Sequence, residues 1–137
     1  MTPEVLAEIY AAAFPSSRGW STDEFEELFA SKHVFLVSRQ QAFALGRVIA
    51  DEAELLTIAT HPNSQGQGLG RHCLRDFCDT AQRRGAASAF LEVAADNLAA
   101  LQLYESDGWQ KSGLRKGYYA RSAGGSVDAV LMGKSLT

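Results

Sequence analysis

The run Gln65-Gly66-Gln67-Gly68-Leu69-Gly70 sets three closely spaced glycines between a strand and a helix. Ahead of it, Glu54 to Thr60 reads as a strand, and Pro62 punctuates the chain before the loop. Behind it, Leu69, Cys73, Leu74, Phe77, Cys78 and Ala81 recur at helical spacing, with Arg71, Arg75, Asp76, Asp79 and Arg83 on the other face. Glycines here remove Cβ atoms where the backbone must turn sharply and approach a ligand. The first amides of the helix have no intrahelical acceptor and carry the positive end of the dipole. Together these features suit a phosphate or pyrophosphate, to which Arg71 can add a charge-assisted contact. A glycine-rich turn that holds no ligand satisfies the same local pattern.

Two nucleotide motifs are excluded by spacing. A P-loop needs Gly-Lys-Ser/Thr, and Gly70 is followed by Arg71 and His72. The dinucleotide fingerprint needs Gly-x-Gly-x-x-Gly after the first strand of a βαβ unit, whereas this loop reads Gly-x-Gly-x-Gly and follows a meander.

That meander comprises Val34 to Ser38, Ala42 to Ala50 and Glu54 to Thr60, with Gln40-Gln41 as a hairpin connection and Asp51 to Glu54 as a polar turn. Two helices precede it. Val5, Leu6, Ile9, Tyr10 and Ala13 form the stripe of the first, which stops near Pro15. After the loop Ser16 to Gly19, Ser21 or Thr22 caps the second, which carries acids early and Phe25, Leu28 and Phe29 on its apolar face. Beyond the glycine loop, Gly85 ends the third helix and Ser88 to Val93 is a strand. Asp96 or Asn97 caps a fourth helix, stopped at Gly108, and Trp109 to Leu136 forms two strands around the loop 122–126. The order is ααβββαβαββ, an α/β domain with a mixed sheet, read as one domain over 1–137.

The net charge of −3 and the lack of a basic tract argue against nucleic acid as a partner. No apolar run is long enough to cross a membrane, and the N-terminus lacks a signal-peptide profile, so the expected location is the cytoplasm. Cys73 and Cys78, five apart on a helix, do not meet disulfide geometry and read as buried thiols in a reducing compartment. No Cys/His cluster has metal-ligand spacing; His33, His61 and His72 lack a recognisable partner, and no metal is expected.

The run from Gln65 to Gly70 resembles motif A of the GNAT N-acetyltransferases, written Gln/Arg-x-x-Gly-x-Gly/Ala. Ile58-Ala59-Thr60-His61-Pro62 is similar to the strand and bend that lead into that motif. Leu91-Glu92-Val93, Asn97-Leu98-Ala99-Ala100, Leu103-Tyr104-Glu105 and Gly108-Trp109 resemble the segment after it. Continued by Arg115 and Tyr118-Tyr119, the set resembles the RimI-type branch, which acetylates the N-terminal alanine of a small-subunit ribosomal protein. The resemblance runs from about Ala13-Phe14-Pro15 to the end. It departs at Ala94, where the branch usually has Arg, and at Ala120, where it usually has Pro. The family's N-terminal strand has no counterpart before the first helix.

The resemblance implies a splayed sheet flanked by helices, with acetyl-CoA held where two central strands part. Backbone groups of Ile58, Ala59 and Thr60 would pair with the pantetheine, and Gln65, Gly66, Gln67, Gly68, Leu69, Gly70 and Arg71 would form the pyrophosphate loop. Asn97 would contact the cofactor near its thiol end. An α-amino group has a pKa near ~8, so a base need only take a proton as the tetrahedral intermediate forms. On its strand Glu92 faces opposite to Leu91 and Val93, an arrangement that fits a solvent-facing Glu as well as a base; the resemblance makes it the general base. Tyr104, by pattern a core tyrosine, becomes the acid that protonates the departing thiolate, and Tyr118 and Tyr119 line a peptide groove. The implied activity is acetyl transfer from acetyl-CoA to a primary amine, foremost a protein N-terminus such as that of a ribosomal protein. Acetylation of a small amine, and a non-catalytic acyl-CoA-binding module, are the alternatives. Both a monomer and a homodimer remain open.

Overall fold

Two hydroxyl side chains start the N-terminal helices. In the computed structural model, which describes residues 1–15, 19–121 and 123–137, Thr2 accepts from the Val5 amide to open α1 (Pro3–Ala13). Ser21 opens α2 (Thr22–Phe29) with a reciprocal capping box: its Oγ accepts from Glu24 N at 3.2 Å, and Glu24 Oε1 accepts from Ser21 N at 3.2 Å. Ser21→Ala should therefore cost about 1 kcal/mol and lower Tm by roughly 3 to 5 °C in a thermal melt. Residues 16–18 of the expected first loop, and Ser122 of the last, lie outside the described residues.

The remaining elements are β1 (Val34–Arg39), β2 (Ala42–Ile49), β3 (Glu52–Thr60), a single 3-10 turn (Pro62–Ser64), α3 (Leu69–Arg83), β4 (Ser88–Ala94), α4 (Leu98–Ser106), β5 (Gln110–Ala120) and β6 (Ser126–Ser135). The expected order is borne out. The strands form one six-stranded sheet in the order β1-β2-β3-β4-β6-β5, parallel only between β3 and β4. Strand alternation divides its faces. On one face Leu6, Ile9 and Phe25 pack on Val34, Phe43, Leu45 and Ala59. On the other, Cys73, Leu74, Phe77 and Ala81 of α3 pack with Ala53, Leu55, Leu91, Val93 and Met132. Phe35 and Phe77 stack there with ring centres 5.7 Å apart, and a Cβ on Gly46 would come within 2.6 Å of both rings. Only glycine lets α3 sit this close to β2.

One expectation needs correcting. Glu52 to Glu54, read as part of a polar turn, are the first residues of β3; the turn is Ala50-Asp51, with Ala50 at φ 56°. The acids mislead because they alternate around Ala53, which is fully buried, while Glu54 Oε1 pairs with Arg47 at 2.6 Å on the neighbouring strand.

The feature that positions the site is where β3 and β4 stop pairing. Their register runs only Glu52–Ser88, Ala53–Ala89 and Glu54–Phe90. Beyond that β3 stays on β2 as far as Thr60, and β4 stays on β6 as far as Ala94, so the sheet opens between them. The cause lies next door. Leu45 pairs with Thr57 and Gly46 with Leu55, leaving Leu56 as an extra residue in β3. A bulge of this kind bends a strand and ends its pairing on the far side.

Candidate active site

A cavity of about 420 Å³ lies beyond this split, between the end of β3 and α4. The predicted residues Ile58, Ala59, Thr60, Gln65, Gly66, Gly68, Leu69, Gly70, Arg71, Asn97 and Tyr104 all line it. Beyond Glu54, the backbone groups of β3 that point away from β2 have no β4 partner and face this space.

At one end stands the N-terminus of α3. Its N-cap is Gly68 at φ 77°, ψ 10°, and Gly66 has φ 81°, left-handed conformations that favour glycine. Having no side chain, Gly68 offers no cap, and the first helical amide to find an acceptor is that of His72, on Gly68 O at 3.1 Å. The amides of Leu69, Gly70 and Arg71 are left for an anion. Gln65 fixes the loop to the end of β3 through a hydrogen bond from Nε2 to Thr60 O, 3.2 Å. That bond uses the Thr60 carbonyl. His61 N donates to Gln41 O, so by alternation Ala59 also points to β2, and Ile58 is the freest of the three predicted backbone partners. Gln67 is exposed and does not line the cavity.

Arg71 reaches the wall of the cavity, but its guanidinium is engaged beyond it. Nη2 donates to Ser106 Oγ at 2.8 Å, and Nη1 lies 3.6 Å from Asp107 Oδ1. Arg75 and Lys134 converge on the same carboxylate, whose side chain is only 8% exposed. This network ties the start of α3 to the end of α4.

The facing wall is α4. Asn97 caps it, its Oδ1 accepting from Ala100 N at 3.2 Å, so its amide nitrogen remains available to a ligand. Tyr104 is 5% exposed, with its ring centre 6.1 Å from that of Trp109, and burial pushes its phenol well above the ordinary range. Such a group stays protonated at neutral pH, so in proton transfer it serves as an acid and not as a base. The core reading and the site reading of this tyrosine therefore hold together.

Glu92, Tyr118 and Tyr119 are not in the cavity. Glu92 faces away from the buried Leu91 and Val93, on the sheet face that α1 and α2 cover only over β1 to β3. Its Oε1 lies 3.1 Å from Nη2 of Arg115. Tyr119 stands near it: burial pushes this phenol up to about 12, and Glu92, Tyr118 and Tyr10 add to the rise. The rings of Tyr118 and Tyr119 meet edge to face at 5.2 Å, and Tyr118 is 54% exposed. Arg121 holds Asp96 with two bonds, 2.7 and 3.0 Å, pinning the end of β5 beside Asn97.

Sequence reasoning missed Ser64, Ala13, Phe14, Ala99, Ala100 and Leu103 as lining residues, and it gave Arg115 no role. Ala13 ends α1 and Phe14 is its C-cap, and no local signal couples them to the glycine loop. The histidines stay apart. His61 Nδ1 accepts from Asn63 N at 3.1 Å, while His33 and His72 are exposed. Among the described residues no group of three His, Cys, Asp or Glu side chains could hold a metal ion. Both cysteines are free thiols, pushed up to about 11 by burial.

Comparison with known proteins agrees with this geometry. The model of the acetyltransferase (GNAT) family matches residues 4–109. The [ribosomal protein bS18]-alanine N-acetyltransferase of Escherichia coli K12 is 38% identical over 122 residues, covering 89% of this chain and 82% of the relative. The N-alpha-acetyltransferase RimI of Mycobacterium tuberculosis is also 38% identical, over 82% of this chain and 75% of its own. The crystal structure of the Escherichia coli ribosomal-protein-S18-alanine N-acetyltransferase superposes with a TM-score of 0.89 at 34% identity, covering 98% of this chain and 88% of that one.

Proposed function

The chain belongs to the acetyltransferase (GNAT) family, and we propose that it transfers the acetyl group of acetyl-CoA to the α-amino group at the N-terminus of a protein, foremost a small-subunit ribosomal protein. The observation that carries this reading is one cavity that joins the uncapped start of α3 to Tyr104, beyond the point where β3 and β4 part. Its lining carries groups for both parts of the donor: open amides for a pyrophosphate, and a phenol for a leaving thiolate.

In this mechanism the free amides of Leu69, Gly70 and Arg71 hold the pyrophosphate, and the free edge of β3 around Ile58 pairs with the pantetheine arm. The acceptor approaches from the face that carries Glu92 and Tyr119. Its nitrogen attacks the thioester carbonyl as Glu92, directly or through water, takes a proton from that nitrogen. The C–S bond breaks, and Tyr104 gives its proton to the thiolate, so charge is balanced across the step. No covalent acyl-enzyme is needed. We assign the protein to the cytoplasm, the compartment in which Cys73 and Cys78 persist as thiols.

A protein acceptor is supported by the named activities of the relatives and by the paired tyrosines at the open face. Ala94 and Ala120, where the branch has Arg and Pro, make a small amine the reading to test against it. N-terminal peptides, including one that begins with alanine, are assayed beside polyamines and free amino acids, following coenzyme A release and product mass. Peptides should show the highest kcat/KM, with the acetyl group on the α-nitrogen. A small amine turned over faster than every peptide would overturn the protein-acceptor reading.

A further inference from the structure

Glu92 is already partnered by a cation on the open face of the sheet. Its Oε1 lies 3.1 Å from Arg115 Nη2, a contact made across β6: Glu92 pairs with Leu131, and Arg115 pairs with Ala129. The partners differ in their surroundings. The Arg115 side chain is 52% exposed, whereas that of Glu92 is 20% exposed. The guanidinium also stands 5.2 Å over the ring of Tyr118, itself half open to solvent. The carboxylate is therefore the fixed member, and the cation can move off it without losing its contact with an aromatic face.

An acceptor amine reaches neutral solution mostly as an ammonium ion. It needs the same carboxylate, from the same face: once seated it gives up one proton to solvent, and the neutral amine then attacks as Glu92 takes the second. We infer that Arg115 is a positioning residue that occupies the acceptor's ammonium seat on Glu92 and yields it when the acceptor arrives. The inference rests on the reading of Glu92 as the base. One cation replaces another, so the partly buried carboxylate is not left unpaired, a state that would be costly. An incoming group without positive charge gains nothing from the exchange. The device thus favours a primary amine over a neutral group of the same shape.

The test compares Arg115→Met, which keeps a long unbranched side chain but removes the charge, with Arg115→Lys, which keeps the charge. Each is assayed with an alanine-initiated peptide as substrate and with the same peptide lacking its amino group as inhibitor. Exposed ion pairs are weak, so Arg115→Met should lower the KM of the amine peptide about two- to fivefold, with kcat moving less than KM. The inhibition constant of the peptide without an amine, and the Kd of acetyl-CoA, should stay at wild-type values, and Arg115→Lys should restore the wild-type KM. An unchanged KM, a higher KM, or an equal shift for both peptides overturns the inference, because Arg115 would then be idle, a direct acceptor ligand or a shaper of the groove. Glu92→Gln in the same assay separates the two failures. Wild-type turnover there defeats the base assignment, while a slow Glu92→Gln beside an unchanged Arg115→Met KM defeats only the exchange.

Discussion

Gly68→Glu should abolish measurable binding of acetyl-CoA in a calorimetric titration. Two effects act together. At φ 77° a residue with a side chain costs roughly 1–2 kcal/mol more than glycine. The larger effect is electrostatic. A Cβ at Gly68 meets nothing within 4 Å, so the new side chain has room, and the fold survives. Its carboxylate then stands at the helix N-terminus with the amides of Leu69, Gly70 and Arg71 within reach. There it acts as the cap that this helix lacks, and it repels the pyrophosphate from the same groups. Gly68→Ala carries the backbone strain without the charge and should lose much less affinity. Equal losses in the two variants would assign the effect to backbone geometry alone. Unchanged affinity in Gly68→Glu would remove the loop from the donor site.

That loop was legible in the sequence because its information is local: three glycines, a strand before them and a helical stripe after them. The stripe from Leu69 to Ala81 was equally clear, and the structure buries Leu69, Cys73, Leu74, Phe77 and Ala81 of it. What sequence could not show depends on pairing between distant strands. Leu56 reads as one more residue of an alternating strand, and it becomes a bulge only through the register of β3 on β2. The end of β3–β4 pairing after Glu54 and Phe90 is a relation between two segments separated by all of α3. Glu52 and Glu54 read as a turn because acids usually mark solvent, yet Ala53 between them lies under α3 and Glu54 has Arg47 across the ladder. The pair of Glu92 and Arg115 is of the same non-local kind, since β6 brings them together after both have been written. The resemblance to the acetyltransferases named residues that line the cavity; the register of the sheet explains why a cavity exists there.

Glu92→Gln should lower kcat with a peptide acceptor by about 10²- to 10⁴-fold while leaving acetyl-CoA affinity close to wild type. The second half of the expectation follows from placement: Glu92 faces the open side of the sheet and does not line the cavity. The first half rests on the proposed base role of Glu92, and the surroundings of other titratable groups support it. Tyr119 is pushed up to about 12, chiefly by burial, and is protonated at neutral pH, as is Tyr104. His61 is tied into its turn, and His33 and His72 are exposed outside the cavity. Asp96 is held by Arg121, which keeps its carboxyl below the usual range and makes it a poor base. Glu92 is the acid residue that stands beside Tyr119, and its cation is a half-exposed arginine that can leave. Glutamine keeps the shape of the side chain and its ability to accept a hydrogen bond, but it cannot carry away a proton. A Glu92→Gln protein that bound acceptor and donor normally and still turned over at the wild-type rate would leave proton removal to solvent, and Glu92 would have no part in the chemistry.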